Sequence, residues 1–339
     1  MTAQTPGPRP TQGARPASAA RDPDDRCAAR SSRVGEPMAG SAPVAATWLL
    51  IEQPGPWGAQ ALTESRLPHP VATRLAQLAR ATGVRVGLIR APGRHPDERP
   101  ADAGRLVLLA HTTPGRTELR AWRVDDPALL PTLLATRGSG GDGPPDGPLG
   151  AGHPVTTPLL VVCTNGHRDP CCARGGLPLA AALAHAHPGR VWEGTHMGGH
   201  RFAPTALVLP WGALYGRLDL PAATALLEAA DQGRLPADGY RGRAALTRPA
   251  QVAEAAVRGR LGITGPDDLN AQATAVAPDT WRVTVRHVDG RGWACEVRPA
   301  PEPVGPRPTS CGGPAELVRP LVAGPLRALT APGSGPAVP

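Results

Sequence analysis

Short apolar runs and stretches with helical spacing follow one another along the first third of this chain. Residues 48–51 form an uninterrupted apolar run that predicts a buried strand, and residues 70–82 repeat apolar positions every three or four residues, which predicts a helix. Residues 84–89 return to a strand pattern, residues 106–124 have the pattern of a hairpin, and Asp126 is a suitable cap for a helix ending near residue 135. The predicted order is strand, helix, strand, hairpin, helix.

The same order of elements recurs in the second half of the chain. Residues 159–163 predict a strand, 177–185 a helix and 191–195 a second strand. A hairpin over residues 205–218 and a helix over 221–230 complete the set. Two units with one element order indicate an internal structural duplication.

A proline at the start of the second hairpin makes the fold prediction more specific. Pro204 directly precedes the strand that opens this hairpin, which is the pattern of the thioredoxin-like fold, where that proline is usually cis. We therefore predict a cis bond between Ala203 and Pro204, with an ordinary trans proline at the first residue of a strand as the alternative. The fold class expected is α/β, with two tandem thioredoxin-like units and a small C-terminal α+β extension.

Changes in composition divide the chain into segments. Both ends are rich in proline and glycine, and a glycine-rich stretch separates the two units, as in a flexible linker. We predict a disordered tail at 1–24, an N-terminal thioredoxin-like unit at 25–136, a linker at 137–154, a second thioredoxin-like unit at 155–243, a helix and hairpin extension at 244–318, and a largely disordered segment at 319–339. In the extension, Cys295 occupies an alternating strand position and is expected in the core.

The cysteine usage and the hydropathy indicate a cytoplasmic protein. Six cysteines are spread over 339 residues, unlike the dense disulfide framework of a small secreted domain. The first residues lack the apolar segment of a signal peptide, and nowhere do eighteen apolar residues run together. The start is rich in arginine, as in a transit peptide, but its prolines disfavour an amphipathic helix. We expect no membrane association.

The net charge of +8 raises nucleic-acid binding as a function to consider. All 36 basic residues are arginine, and alanine, glycine and proline are also abundant, which indicates a general compositional bias. The arginines are scattered and are not interleaved with aromatic residues in the way of single-strand binders. The sequence therefore argues against nucleic acid as a partner.

Two cysteines and two histidines have the spacing of a metal centre. Cys163 ends a predicted strand and Cys172 follows nine positions later, while His196 and His200 are separated by Met-Gly-Gly. The two glycines disfavour a helix and favour a loop on which both rings converge. Thiolates with imidazoles bind zinc in closed sites and also bind [2Fe-2S] clusters, so these residues alone leave both metals open.

The motif resembles one family closely. Cys163, Asp169 and Cys172, followed by HMGGHRFAPTALVLPWGALYGRL, resemble the sucrase/ferredoxin-like family, whose members include thioredoxin-like ferredoxins with bis-histidine ligation. The likeness extends over residues 27–313. It implies a [2Fe-2S] cluster in the second unit held by Cys163, Cys172, His196 and His200. Cys171 lies where relatives often carry arginine and is then a neighbour, although a swap with Cys172 is the first alternative.

The ligand set would determine the redox properties of such a cluster. Two ferric ions balance two sulfides and two thiolates when both imidazoles are neutral, so this cluster accepts an electron more easily than a four-thiolate one. Its potential should lie well above the value of about −400 mV of plant-type ferredoxins, and reduction should raise the proton affinity of the imidazoles.

Several other residues are candidates for tuning the centre. Arg168, Arg174 and Arg201 flank the motifs and could raise the potential or dock an acidic redox partner. Asp169 could shape the loop or reach the second nitrogen of a histidine, and Pro204 is expected beside the site. His167 lies in the same loop and is expected to face solvent.

The function expected is one-electron transfer, possibly coupled to protons, between redox proteins that the sequence does not name. The chain has no dinucleotide fingerprint, nucleophile elbow or paired carboxylate site, so we expect a redox carrier rather than an enzyme with its own substrate. One alternative is a thioredoxin-type thiol oxidoreductase using Cys163, Cys171 or Cys172, although no C-x-x-C motif is present. A zinc-stabilised interaction module is the other.

Two regions are left without an assigned chemistry. The N-terminal unit has no cysteine or histidine in its matching loop, residues 55–58, and is expected to act as a scaffold. Cys311 lies in a predicted loop, where a surface thiol is the simplest interpretation and a redox partner the alternative.

Overall fold

The computed structural model describes residues 26–93, 104–137 and 149–329. The α-helices are α1 (Cys27–Arg33), α2 (His69–Thr82), α3 (Leu130–Arg137), α4 (Pro170–Ala186), α5 (Leu220–Asp231) and α6 (Arg248–Leu261). The strands of the main sheet are β1 (Thr47–Glu52), β2 (Arg85–Arg90), β3 (Arg105–His111), β4 (Glu118–Val124), β5 (His153–Pro154), β6 (Leu159–Cys163), β7 (Val191–Gly194), β8 (Ala206–Leu209), β9 (Ala213–Tyr215) and β10 (Tyr240–Arg243).

One mixed sheet of ten strands runs through both halves of the chain, in the order β10-β9-β8-β6-β7-β2-β1-β3-β4-β5. In the first half β1 pairs in parallel with β2 and antiparallel with β3, and in the second half β6 pairs in parallel with β7 and antiparallel with β8. The halves thus share one strand order. They join edge to edge where β2 pairs antiparallel with β7, and Arg90 crosses this joint to Glu193 at 2.8 Å. The α/β class expected from the sequence is confirmed.

The central strand β6 is buried along its whole length, which explains its uninterrupted apolar sequence. Leu160 and Val162 pack with residues of α4 and α5 on one side of the sheet. Val161 and Cys163 belong to the core on the other side, together with Trp48 of β1. Alternation along the strand therefore directs the last residue, Cys163, away from the core formed by α4 and α5.

The C-terminal region forms a second sheet that packs on α6. Its strands are β11 (Leu269–Ala277), β12 (Thr280–His287), β13 (Gly292–Pro299), β16 (Leu321–Ala323) and β17 (Arg327–Ala328), and a separate hairpin consists of β14 (Val304–Pro308) and β15 (Ala315–Val318). Cys295 is buried in this core, as expected. Disorder was predicted from residue 319, but β16 and β17 both pair with β13; residues beyond 329 lie outside the described part.

Helix α4 begins seven residues earlier than predicted. The sequence predicts a helix over residues 177–185, yet the helix starts at Pro170 and ends at Ala186. Asp169 caps it by accepting a hydrogen bond from the amide of Cys171, and proline is well suited to the first helical position. Gly176 is needed because a β-carbon there would overlap the carbonyl oxygen of Cys163. The helix can therefore lie directly against the end of β6.

Three further predictions concern a proline bond, disordered segments and membrane-spanning helices. The bond between Ala203 and Pro204 is cis, as predicted. The predicted tail at 1–24 lies outside the described residues, as do residues 138–148 of the linker predicted at 137–154, whereas His153–Pro154 at the end of that linker pairs with β4. Among the described residues, no helix is both long and apolar enough to cross a membrane.

A buried carboxylate connects three distant segments. Glu36, after α1, is 2 % exposed and accepts hydrogen bonds from Arg307 of β14 at 2.5 and 2.7 Å, from Arg201 at 2.9 Å and from Ser31 at 2.8 Å. Burial acts to raise the pKa of Glu36, but the two guanidinium groups outweigh it and hold the pKa below the usual value. The carboxylate is therefore ionised, and it ties α1 to β14 and to the turn at residue 201.

We expect the substitution Glu36→Gln to lower the free energy of unfolding by roughly 3–5 kcal/mol, because the buried guanidinium group of Arg307 and the partly exposed one of Arg201 lose their counter-charge. Urea unfolding would measure the change, with Glu296→Gln, on an exposed position, as the matched control. Because the pKa is lowered in the folded state, the contribution of Glu36 is complete above the usual glutamate pKa and is lost as the pH falls through the lowered value. Wild type and variant should converge in stability at acidic pH; a constant difference would contradict this account.

Candidate metal centre

The two predicted cysteine ligands meet at the end of β6. Cys163 is its last residue and is 1 % exposed, and Cys172 lies in the first turn of α4 and is fully buried. The close approach of Gly176 to Cys163 brings this first turn against the strand end. Both sulfurs consequently lie at the carboxyl edge of the sheet, where open α/β sheets place their sites.

The two histidines lie on a glycine loop, as the sequence predicts. His196 follows β7, and Gly198 and Gly199 have φ values of +84° and +76°, in the left-handed region that favours glycine. A β-carbon on Gly199 would also overlap the guanidinium group of Arg241. The loop brings the rings of His196 and His200 together, with centroids 5.0 Å apart.

Three of the four predicted ligands already surround one point. Donor atoms of Cys163, Cys172 and His196 all lie within 4.8 Å of one another, and the Sγ of Cys172 is 4.0 Å from Nδ1 of His196. His200 lies beside them. Both of its ring nitrogens are buried, and among the described residues neither makes a hydrogen bond of acceptable geometry. A histidine can bind a metal only through a ring nitrogen that is not already hydrogen-bonded. The buried nitrogens of His200 meet this requirement.

The two thiols influence each other strongly. A hydrogen bond from Cys172 lowers the pKa of Cys163 well below its usual value despite burial, and His196 acts in the same direction. The same hydrogen bond, together with burial, raises the pKa of Cys172. The first thiolate therefore forms at Cys163, and thiolate is the form that binds metal.

Two cations near the site were not identified from the sequence. Arg241 of β10 is fully buried and donates to the carbonyl of Gly198 at 3.0 Å and to Ser41 at 2.6 and 3.0 Å. Burial, followed by repulsion from Arg201, lowers the pKa of Arg241 to about 9, so it remains charged at neutral pH. Arg85 of β2 stacks on Trp48 and donates to the carbonyl of His196 at 3.3 Å. No local pattern marks either arginine, because both reach the loop from distant strands.

The flanking residues chosen from the sequence occupy different environments. Arg168 and His167 are exposed, and Arg168 lines an open groove of about 400 Å³ that also borders His196. Arg174 is exposed, whereas Arg201 is paired with Glu36. Pro204 packs beside α4, close to Gly175.

Asp169 is buried and has two sets of neighbours. Its carboxylate accepts hydrogen bonds from the amides of Cys171 and Cys311, both at 2.9 Å, and its Oδ2 lies 3.8 Å from Nε2 of His200. Burial would raise the pKa of Asp169, but the two amides and His200 lower it overall. The carboxylate therefore caps α4 and also lies near a histidine.

A second cluster of cysteines lies on the other side of Asp169. Cys27 of α1, Cys171 of α4 and Cys311, after β14, bring their sulfurs within 3.4 to 3.7 Å of one another. Sequence analysis placed Cys171 next to the centre, did not single out Cys27, and interpreted Cys311 as a surface thiol. Cys311 does lie in a turn and is partly exposed, but its sulfur also contacts two other sulfurs, so it is not an isolated surface thiol. These cysteines are far apart in sequence and come together only in the folded structure.

The comparison with protein families is decisive for classification. The model of the sucrase/ferredoxin-like family matches residues 38–242, more than half of the chain. The chain belongs to the sucrase/ferredoxin-like family. No curated protein and no solved structure matches it. Cys163, Cys172, His196 and His200 all lie in the part that the sucrase/ferredoxin-like model matches, whereas Cys27, Glu36, Arg307 and Cys311 lie outside it.

The glycine loop provides a local test of this centre. We expect Gly199→Ala to destabilise the loop by about 1–3 kcal/mol through its left-handed backbone, and further through overlap with Arg241. Metal bound per chain, measured by plasma mass spectrometry, should fall. The control is Gly189→Ala, which has a similar φ of +74° but open space around it. Equal metal content in both variants would show that close packing on Arg241 does not support the site.

Proposed function

We propose that this protein is a one-electron carrier with a [2Fe-2S] cluster bound by Cys163, Cys172, His196 and His200. The supporting observation is that two buried sulfurs and the imidazole of His196 have donor atoms within 4.8 Å of one another at the sheet edge of a sucrase/ferredoxin-like chain, with the ring of His200 5.0 Å from that of His196. Thiolates with imidazoles are a donor set that [2Fe-2S] centres use. A bound cluster of this kind takes up and releases one electron at a time.

We also infer that each half of the main sheet is a thioredoxin-like unit. In both halves two parallel strands pair side by side and an antiparallel hairpin extends the sheet, with helices following the first strand and the hairpin. The first half has no ligands in its loop at residues 55–58. Instead its strand β2 supports the histidine loop, because Leu88 bonds to Thr195 and Arg85 to His196. A scaffold role for the first unit follows.

The cations near the loop would stabilise an added electron. Arg241 is buried and Arg85 is partly buried, and the Cys163 thiolate acts attractively on both guanidinium groups, raising the pKa of each against the lowering effect of burial. Positive charge held in a low-dielectric environment favours the more negative, reduced state. We therefore expect these two arginines, rather than Arg168 and Arg174, to raise the potential.

The exposed side of the centre is its histidine side. Both cysteines are buried, while His196 and His200 are partly exposed and His196 borders the groove described above. Electrons and protons would therefore pass on the imidazole side, where an added electron raises the proton affinity of the rings. Arg80 and Arg168 line the same groove, and a redox partner with an acidic surface would suit it.

One observation favours a second candidate, a single zinc ion that stabilises an interaction module. The donor atoms of Cys163, Cys172 and His196 lie within 4.8 Å of one another, which is compact enough to surround one ion. If a two-iron cluster were bound, the two cysteines and the two histidines would bind different iron ions, and the sulfur–nitrogen distances would have to be longer. The glycines of the histidine loop could provide that displacement.

Spectroscopy of anaerobically purified protein separates these candidates. We expect a coloured protein with two irons and two acid-labile sulfides per chain, and a rhombic paramagnetic resonance signal after dithionite reduction. His196→Ala or His200→Ala should abolish or strongly change the signal, whereas His167→Ala, on an exposed position, should leave it intact. A colourless, zinc-containing protein would favour the structural alternative.

A redox titration tests the charge argument. We expect Arg85→Gln to lower the midpoint potential on the order of tens of millivolts, because a nearby positive charge is removed. Arg282→Gln removes an exposed charge on the C-terminal sheet and is the matched control. Equal potentials in the wild type and in both variants would mean that Arg85 acts only as a packing residue.

A further inference from the structure

We propose that Cys27, Cys171, Cys311 and Asp169 form a second metal site, separate from the first, that binds one divalent ion of the zinc type. It is independent of the cluster proposed above. The four residues offer three sulfurs and one carboxylate oxygen that all lie within 4.8 Å of one another.

The sulfur separations fit a tetrahedral ion. Sγ of Cys27 is 3.6 Å from Sγ of Cys171, Sγ of Cys171 is 3.4 Å from Sγ of Cys311, and Sγ of Cys311 is 3.7 Å from Sγ of Cys27. A zinc–sulfur bond of about 2.3 Å gives a tetrahedral edge of about 3.8 Å. A disulfide would place two of the sulfurs at about 2.05 Å. The three thiols thus already have almost the arrangement of one face of a zinc site.

Asp169 is positioned as the fourth ligand. Its two oxygens lie 3.7 and 3.8 Å from Sγ of Cys27, and a tetrahedral site with zinc–oxygen bonds of about 2.0–2.2 Å requires a sulfur–oxygen edge of about 3.5 Å. The amides of Cys171 and Cys311, two of the proposed ligands, each donate to this carboxylate at 2.9 Å. Each carboxylate oxygen still has a lone pair with which to bind a metal. The backbone amides of the cysteine ligands hold the carboxylate in its orientation.

The environment is that of a closed structural site. Cys27 is fully buried, Asp169 is 1 % and Cys171 4 % exposed, and Cys311 is only partly exposed. A divalent ion here would supply the positive charge that thiolates and a carboxylate need in so buried a place. A pocket of about 190 Å³ between α1 and α4 reaches Cys171 and provides an entry path.

The proposed ion would join segments that are remote in sequence. Cys27 is 144 residues from Cys171, and Cys311 is a further 140 residues away. An ion bound here closes two long loops and fixes the first turn of α4, which also carries Cys172. We therefore expect it to stabilise the whole fold.

Metal analysis of paired variants tests the proposal on the full chain, purified with a phosphine reductant and without chelators. We expect one zinc per chain in the wild type, and its loss in Cys27→Ser and in Cys311→Ser with the iron content retained. Cys163→Ser should show the converse, losing iron and keeping zinc. Cys295→Ser, a buried cysteine of the C-terminal sheet, is the matched control and should keep both metals.

Cobalt substitution gives a second readout that does not depend on iron. Cobalt(II) added to zinc-depleted protein should produce thiolate charge-transfer and tetrahedral ligand-field bands, which Cys311→Ser should weaken or abolish. Because Cys311 lies in a turn and is partly exposed, circular dichroism should show this variant folded.

Two results would overturn the second site. One is a wild-type protein in which Cys27, Cys171 and Cys311 all react with a thiol reagent under reductant and bind neither zinc nor cobalt, leaving a cluster of thiols available for disulfide formation. The other is zinc that disappears in Cys163→Ser but persists in Cys27→Ser and Cys311→Ser, which would assign zinc to the first centre. Absence of iron alone would refute the cluster proposal and leave this one standing.

Discussion

The buried ion pairs of Glu36 are the interaction on which the rest of the arrangement depends. This carboxylate binds Arg307, whose strand leads to Cys311, and Arg201, which directly follows His200. It also accepts from Ser31 of α1, the helix that begins at Cys27. A charge this deeply buried is tolerated only while its partners stay in place. One carboxylate therefore sets the positions of the N-terminal helix, the histidine turn and the C-terminal hairpin, and through them both groups of candidate ligands.

Around the histidine turn, positive charge is concentrated in a way that the overall composition does not reveal. Phe202, the single phenylalanine of the chain, has the guanidinium groups of Arg201, Arg217 and Arg241 at 4.4 to 5.5 Å from its ring. The ring face attracts these cations, and Glu36 neutralises part of their charge. Within the described ranges, Arg241 donates hydrogen bonds only to backbone and serine oxygens, so no carboxylate there neutralises its charge. A centre that gains negative charge on reduction would benefit from this asymmetry.

Local patterns predicted much of the fold, because strand alternation, hairpin turns and glycine loops depend on neighbours in sequence. The ligand spacing of Cys163, Cys172, His196 and His200 was equally local, and three of the four do meet within 4.8 Å. The start of α4 was missed because Gly176 resembles a helix breaker in sequence, whereas in the fold it allows close contact with Cys163. Cys27 and Cys311 carry no local signal at all. Their proximity follows from Glu36 and Arg307, whose pairing spans 271 residues.

The first turn of α4 connects the two groups of ligands. Cys171 and Cys172 are consecutive, so their side chains diverge around the helix by about 100°, and one sulfur joins each group. Asp169, the cap of the same helix, approaches Cys27 on one side and His200 on the other. Any charge bound at one group is therefore felt at the other through a buried carboxylate. A cation near Cys27 would offset the negative charge of Asp169 that acts on His200. Adding an electron to the first centre would then require less free energy. The adjacent cysteines, which in sequence suggested only an ambiguity of assignment, would then be the link between a structural site and a redox site.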